Sequence, residues 1–157
     1  MLKVLPSDLA DLARTDAFNA LVWYDLEGVD TFVEAATVVA QGGDPGSWRA
    51  LARENFDRDL GPIFRPPVRV ADGTALLKRI PSVWGRLFDF GVPKTEEASS
   101  RRVIVRVTGF EGASLSIRNI MVGTFEGMLA PTTSGLSVRI LAGEASFARD
   151  FEVEFGW

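Results

Sequence analysis

The pattern of apolar and polar positions changes once along the chain, near residue 90. Before that point, apolar residues recur at the three- and four-residue spacing of amphipathic helices. One such helix is predicted to begin at Asp30, an N-cap residue type. Its apolar stripe consists of Phe32, Ala35, Ala36, Val39 and Ala40. Glycines and prolines separate these segments, so the first half predicts four to six helical segments.

Beyond residue 100 the period becomes two, which is typical of half-buried strands. Three short runs alternate in this way, around Val105, Val138 and Val153. A helix is predicted between the first two runs, from an N-cap at Ser114 to the residues before Pro131. Residues 91–100 are a candidate fourth strand at the edge of the sheet.

These elements predict an α+β fold. We expect an N-terminal helical layer followed by a three- or four-stranded antiparallel sheet crossed by one amphipathic helix, in the order β-α-β-β. We expect a single domain over residues 1–157, with a helical part (1–90) and a sheet part (91–157). A chain of 157 residues buries enough surface to need no metal or disulfide staple.

Two residue types are missing from the sequence, histidine and cysteine. Their absence excludes structural zinc, iron–sulfur clusters and histidine-ligated haem. It also excludes nucleophiles activated by imidazole, and disulfides. We therefore predict no cofactor, no metal site and no enzymatic activity.

Charge and hydropathy limit the partners. The net charge of −4 argues against non-specific binding to nucleic acid. No apolar run reaches the roughly 18 residues of a membrane helix. The apolar stretch at the start of the chain is too short and too polar for a signal peptide, so we expect a cytoplasmic location.

The run from Ile80 to Gly91 reads Ile-Pro-Ser-Val-Trp-Gly-Arg-Leu-Phe-Asp-Phe-Gly. Together with the order strand, helix 114–129 and two closing strands that end at Trp157, it resembles the haem-NO-binding-like group of bacterial domains. That group includes the 4-vinyl-reductase domain, relatives among vesicle-tethering subunits and uncharacterised bacterial paralogues, of which the last are most similar. The resemblance implies the fold and a pocket-bearing sensor or scaffold module that is frequently dimeric. Haem-binding members need an axial histidine, and the vinyl-reductase subgroup often carries cysteines where this chain has none at 142–146. No functional residue is therefore carried over.

Aromatic and methionine side chains on the predicted inward faces are candidates for an apolar ligand pocket between the helices and the sheet. They are Trp23, Trp48, Trp84, Met121, Phe125 and Met128. The alternative is that the same side chains fill the core. Arg49 and Arg53 share a helix face at i, i+4 and are interface candidates, because arginine is enriched at protein interfaces.

The leading hypothesis is a non-catalytic signalling or adaptor module that acts by self-association, as a homodimer, and by binding a protein partner. One alternative is a sensor that binds a small apolar ligand without haem. Another is an enzyme that uses carboxylates or arginine, with Asp25, Glu27 or Arg86 as candidates.

Overall fold

The computed structural model describes residues 7, 10–11, 25–59, 72–110, 112–143 and 148–157. In these ranges four helices come first. They are α1 (Leu26–Ala40), α2 (Ser47–Asp59), α3 (Gly73–Leu77) and α4 (Ile80–Leu87). Two strands, a helix and two further strands follow. They are β1 (Val92–Ser99), β2 (Arg102–Thr108), α5 (Leu115–Leu129), β3 (Ser137–Ala142) and β4 (Phe151–Gly156).

The four strands form one antiparallel sheet in the order β1-β2-β4-β3. The predicted α+β class is confirmed, and residues 91–100 supply the fourth, edge strand as β1. Gly91 and Gly109, with φ near +70°, lie side by side at the end of the sheet where β1 begins and β2 ends, and their positive φ allows the chain to turn there. The two outer strands of the sheet, β1 and β3, are its edges.

The predicted inward faces of the two central strands are confirmed. Val103, Val105 and Val107 of β2 are at most 1% exposed, and so are the three apolar residues of β4. Every second position between them is partly exposed, because successive side chains in a strand point to opposite faces. The side chains on this apolar face form one side of the main hydrophobic cluster.

Helix α1 begins earlier than the sequence predicts. Asp25 is its N-cap, and its carboxylate accepts from the Gly28 N–H at 2.6 Å. The prediction that Asp30 caps a helix is wrong for α1. Asp30 instead lies inside this helix, is buried, and accepts from the Ser114 N–H at 3.0 Å, at the start of α5. Val39, which the sequence places on the apolar stripe, is 49% exposed because α1 faces α5 through Asp30 and Thr37.

Helix α5 is the centre of the structure. Ser114 caps it as predicted, with its hydroxyl accepting from the Ile117 N–H. Its buried positions include Arg118, Asn119 and Glu126 as well as apolar residues, so burial continues around the helix instead of following one stripe. The reason is that α5 packs on the sheet on one side, where Phe125 contacts Phe155, and against α2 and α1 on the other.

Candidate functional site

Four of the five described members of the predicted pocket set are buried in the hydrophobic core, and the fifth is partly buried. Trp84, Met121, Phe125 and Met128 are each 4–7% exposed and belong to one hydrophobic cluster. Trp48 is only partly buried and packs against the margin of that cluster. Trp23 lies outside the described residues. Whether the cluster also holds a ligand remains a prediction.

Trp84 starts a line of aromatic contacts across the interior. Its ring lies 4.7 Å from Phe88 and 6.0 Å from Phe110, and its indole N–H donates to the Phe90 carbonyl at 2.7 Å. Phe110 stacks on Phe90 at 5.4 Å and on Phe151 at 6.1 Å. We call Trp84, Phe88, Phe90, Phe110 and Phe151 the aromatic cluster. In this part of the interior, protein rings pack against protein rings.

Arg118 of α5 closes the end of the aromatic cluster. Its guanidinium carbon lies 5.2 Å from the centre of the Phe110 ring and 5.6 Å from that of Phe151, which are cation–π distances. The side chain is fully buried, and burial lowers the pKa of the guanidinium, although the charge of Asp30 acts in the opposite direction.

Backbone carbonyls compensate for the burial of that charge. The Arg118 guanidinium donates to five carbonyl oxygens on the two loops beside α5. They belong to Phe110, Ala113, Gly143, Ala148 and Asp150. Arg118 therefore ties α5 to the segment before it and to the segment between β3 and β4. The sequence pattern did not predict this role, although a lone arginine in an apolar helix is a signal that could have found it.

The interface candidates Arg49 and Arg53 line a surface groove of about 610 Å³ between α2 and α5. Gly46, Ala50, Glu54 and Glu126 complete its lining. The structure thus brings the two arginines to one surface, as their spacing predicts. We call this feature the α2–α5 groove.

Arg49 is held in place by two acceptors on different elements. Its guanidinium donates to Glu126 Oε1 of α5, at 2.6 Å from one terminal nitrogen and 3.1 Å from Nε. The same terminal nitrogen donates to the Val138 carbonyl of β3 at 3.1 Å. The Glu126 side chain is 9% exposed, so this ion pair is largely shielded from water. Arg49 therefore joins α2, α5 and the edge strand β3.

A buried hydrogen-bond chain attaches α2 to the other helices. The Trp48 indole N–H donates to Thr37 Oγ1 of α1 at 2.6 Å. The Thr37 hydroxyl also lies 3.1 Å from the Ser116 hydroxyl of α5. Trp48 thus serves as a hydrogen-bonding link between helices, a role that its place in the apolar pattern did not predict.

The carboxylate and arginine candidates for catalysis do not form a common site. Asp25 is engaged as the cap of α1, and Glu27 is exposed in its first turn. Arg86 lies on α4, and its side chain is outside what the structure describes. Within the described residues, no group of three or more histidine, cysteine, aspartate or glutamate side chains is placed to hold a metal ion.

Comparison of the sequence finds no matching family model and no matching curated protein. Comparison of the structure finds H-NOX domains. One is an oxygen-binding H-NOX domain related to soluble guanylate cyclases, in its oxygen complex, with a TM-score of 0.62 and 15% identity over 99% of this chain and 85% of that one. Another, used to probe heme distortion in the H-NOX family, gives a TM-score of 0.67 and 14% identity over 99% and 85% of the two chains. A third, solved to study the molecular mechanism of H-NOX activation, gives 0.63 and 15% over 99% and 86%.

The chain has the H-NOX fold. The H-NOX fold implies haem, and the described residues of this chain do not fit that cofactor. Proteins hold haem iron through histidine, a cysteine thiolate, tyrosine, or methionine together with histidine. The sequence has no histidine or cysteine, and its single tyrosine, Tyr24, is outside the described residues.

The described interior likewise provides no complete set of ligands for haem iron. The buried thioethers of Met121 and Met128 lack an imidazole partner, and the aromatic cluster and Arg118 contact one another directly. Within the described residues, every helix is too short or too polar to span a bilayer.

Proposed function

We propose that this chain is a non-catalytic signalling module that keeps the H-NOX fold and works without haem. One observation carries the proposal. The fold matches H-NOX domains over 99% of the chain, while the sequence offers no imidazole and no thiolate to bind haem iron. One of the similar domains is an oxygen-binding one related to soluble guanylate cyclases, which supports a signalling role.

The output of such a module is protein contact, through self-association and a protein partner. The α2–α5 groove supports this, because Arg53 lines it with no ion pair or hydrogen bond among the described residues. A guanidinium can form a bidentate, charge-assisted pair with a carboxylate on a partner. A cytoplasmic location is part of the same proposal.

Haem titration decides the proposal. Hemin is added to the purified chain and, as a positive control, to the oxygen-binding H-NOX domain, and both are passed through a desalting column. We expect the control to retain a Soret band and this chain to retain none, with an unchanged thermal midpoint. Retention of one haem per chain would overturn the haem-free proposal.

A second candidate function is a sensor for a small apolar ligand. It rests on the apolar character of the core, to which Trp84, Met121, Phe125 and Met128 all belong. Native mass spectrometry of the freshly purified chain tests this candidate. An added mass that is released on denaturation supports the sensor, and a single apo mass after expression in lipid-rich cells counts against it.

A further inference from the structure

Asp30 and Arg118 are buried side chains of opposite charge that do not touch each other. Asp30 on α1 is 7% exposed, and Arg118 on α5 is 0% exposed. Among the described residues, the acceptors of the Arg118 guanidinium are backbone carbonyls, which carry no net charge. Because a buried charge is costly without a charge of opposite sign, the way in which Asp30 acts on Arg118 decides how this cation is tolerated.

One peptide group joins the two charges. The Ala113–Ser114 peptide donates its N–H to Asp30 Oδ1 at 3.0 Å, and its carbonyl oxygen accepts from Arg118 Nε at 3.1 Å. The N–H and C=O of a trans peptide point in opposite directions, so the negative end of its dipole faces the cation and the positive end faces the anion. Ala113 and Ser114 are at most 2% exposed, and hydrogen bonds in such a buried chain strengthen one another. Asp30 therefore serves as the counter-charge of Arg118 through a peptide group instead of by contact.

The terminal nitrogens of Arg118 hold the backbone on both sides of the β3–β4 connection. They donate to the carbonyls of Gly143, just after β3, and of Ala148 and Asp150, just before β4. A Cβ atom at Gly143 would lie 2.9 Å from Arg118 Nη1, so the backbone comes this close only because the residue is glycine. The end of the chain that leads from Asp30 is thus the place where β3 and β4 are joined.

We propose that Asp30, the Ala113–Ser114 peptide group and Arg118 form a conformational relay, in which the position of α1 controls the order of the β3–β4 connection. We call these three groups the Asp30 relay. When α1 moves away from Ser114, Arg118 loses its counter-charge while it is still buried. It recovers hydration only by releasing the carbonyls that it holds beside β3 and β4.

The consequence is a coupling between two distant parts of the sequence. A ligand or partner that shifts α1 loosens the β3–β4 connection without touching it, because both depend on the same buried cation. By the same linkage, a partner that draws the β3–β4 connection away from Arg118 weakens the hold of α5 on α1.

The Asp30 relay goes beyond the proposed function, because it concerns coupling inside the chain and does not depend on what the chain binds. Haem retention would overturn the proposed function and leave the relay standing. The experiments below measure the relay alone, so the two can fail separately.

A double-mutant cycle on Asp30 and Arg118 tests the relay, with the hydrogen-exchange rate of the Phe110 amide as the readout. That amide donates to the Arg149 carbonyl at 2.9 Å, so its protection reports on the order of the β3–β4 connection. Asp30→Asn removes the charge but keeps an oxygen that can accept from the Ser114 N–H. We expect it to raise the Phe110 exchange rate about tenfold, the effect of weakening one charge-assisted hydrogen bond. In an Arg118→Met background the same substitution is expected to change the rate by less than about twofold, because the cation that Asp30 serves is gone.

Glu27→Gln is the matched control, because it removes a carboxylate from an exposed position on the same helix. We expect it to leave the Phe110 exchange rate unchanged in both backgrounds. Equal effects of Asp30→Asn with and without Arg118, or an equal effect of Glu27→Gln, would overturn the proposal.

A second measurement uses the wild type and so does not depend on the folding of any variant. Native-state hydrogen exchange at low urea concentrations gives the free energy and the urea dependence of the opening that exposes each amide. We expect the Ser114 amide, bonded to Asp30, and the Phe110 amide, bonded to Arg149, to share one partial opening, while the Val122 amide in the middle of α5 stays protected. Ser114 and Phe110 amides that open separately, or only together with Val122 in global unfolding, would reject the relay.

Discussion

Gly123 of α5 packs against the backbone carbonyl of Arg49 on α2, and a Cβ atom at position 123 would overlap that carbonyl. One turn later, a Cβ atom at Gly127 would lie 2.9 Å from the Arg53 carbonyl. Two glycines four residues apart therefore set the distance between the two helices. The α2–α5 groove and the reach of Arg49 to β3 depend on this close approach.

We predict that Gly123→Ala lowers the free energy of unfolding by about 1–3 kcal/mol, the range for overpacking a well-filled contact. Urea unfolding measures it. Gly85→Ala on α4 is the matched control, because nothing lies within 4 Å of its Cβ position. There alanine is expected to leave stability unchanged or to raise it by up to about 1 kcal/mol. Equal effects at the two positions would show that α2 and α5 do not pack through Gly123.

The sequence pattern was most reliable where burial depends on local alternation. Val105 and Val153 have the inward faces that their neighbours indicate, because a strand places every second side chain on one face. The pattern was least reliable where a residue acts through a distant partner. Asp30 is a residue type that often caps helices, but the N–H that it binds belongs to Ser114, 84 positions away.

The contacts at the centre of the candidate site could not be predicted from the sequence pattern either. Because Arg118, Gly123 and Glu126 are counted as polar or neutral, the sequence pattern predicts that only one face of α5 is buried. In the fold each of them meets a partner that only tertiary packing supplies: loop carbonyls for Arg118, a helix backbone for Gly123, and Arg49 for Glu126.

Thr37→Val tests the buried hydrogen-bond chain. Valine keeps the shape of threonine but leaves the Trp48 indole N–H without an acceptor, so we predict a loss of about 1–3 kcal/mol in the free energy of unfolding. Thr31→Val is the control, since its hydroxyl donates only to the Glu27 carbonyl on an exposed face of the same helix. We expect that variant to stay within about 0.5 kcal/mol of the wild type. A thermal or urea series in which the two valines cost the same would contradict the role of the chain.

Arg118→Met is predicted to be among the most damaging single changes in the described interior. Methionine preserves much of the packing on Phe110, but five carbonyl oxygens lose a charged donor. We expect a loss of at least about 3 kcal/mol, because several buried and part-buried carbonyls lose a charged donor at once.

Arg139→Met is its control on the outer face of the sheet. The Arg139 side chain is 69% exposed and pairs with Glu154 only at the surface, so we expect a change of less than about 1 kcal/mol. Denaturant unfolding followed by circular dichroism compares the two variants. A mild effect at Arg118 would mean that the loops beside α5 are held by other contacts.

Glu96 provides a test of the charges on the outer face. The hydrogen bond and the charge of Lys94, together with the charge of Arg106, hold the pKa of the Glu96 carboxyl below its usual 4.5. Because the pKa is lowered in the folded state, the interaction stabilises the protein above the unfolded value and is lost as the pH falls through the folded one. NMR titration of the side-chain carboxyl carbon should give a pKa that moves back toward 4.5 in Lys94→Gln and at high salt, since exposed charges are screened. A Glu96 pKa that neither the substitution nor salt changes would show that Lys94 does not contact this carboxylate in solution.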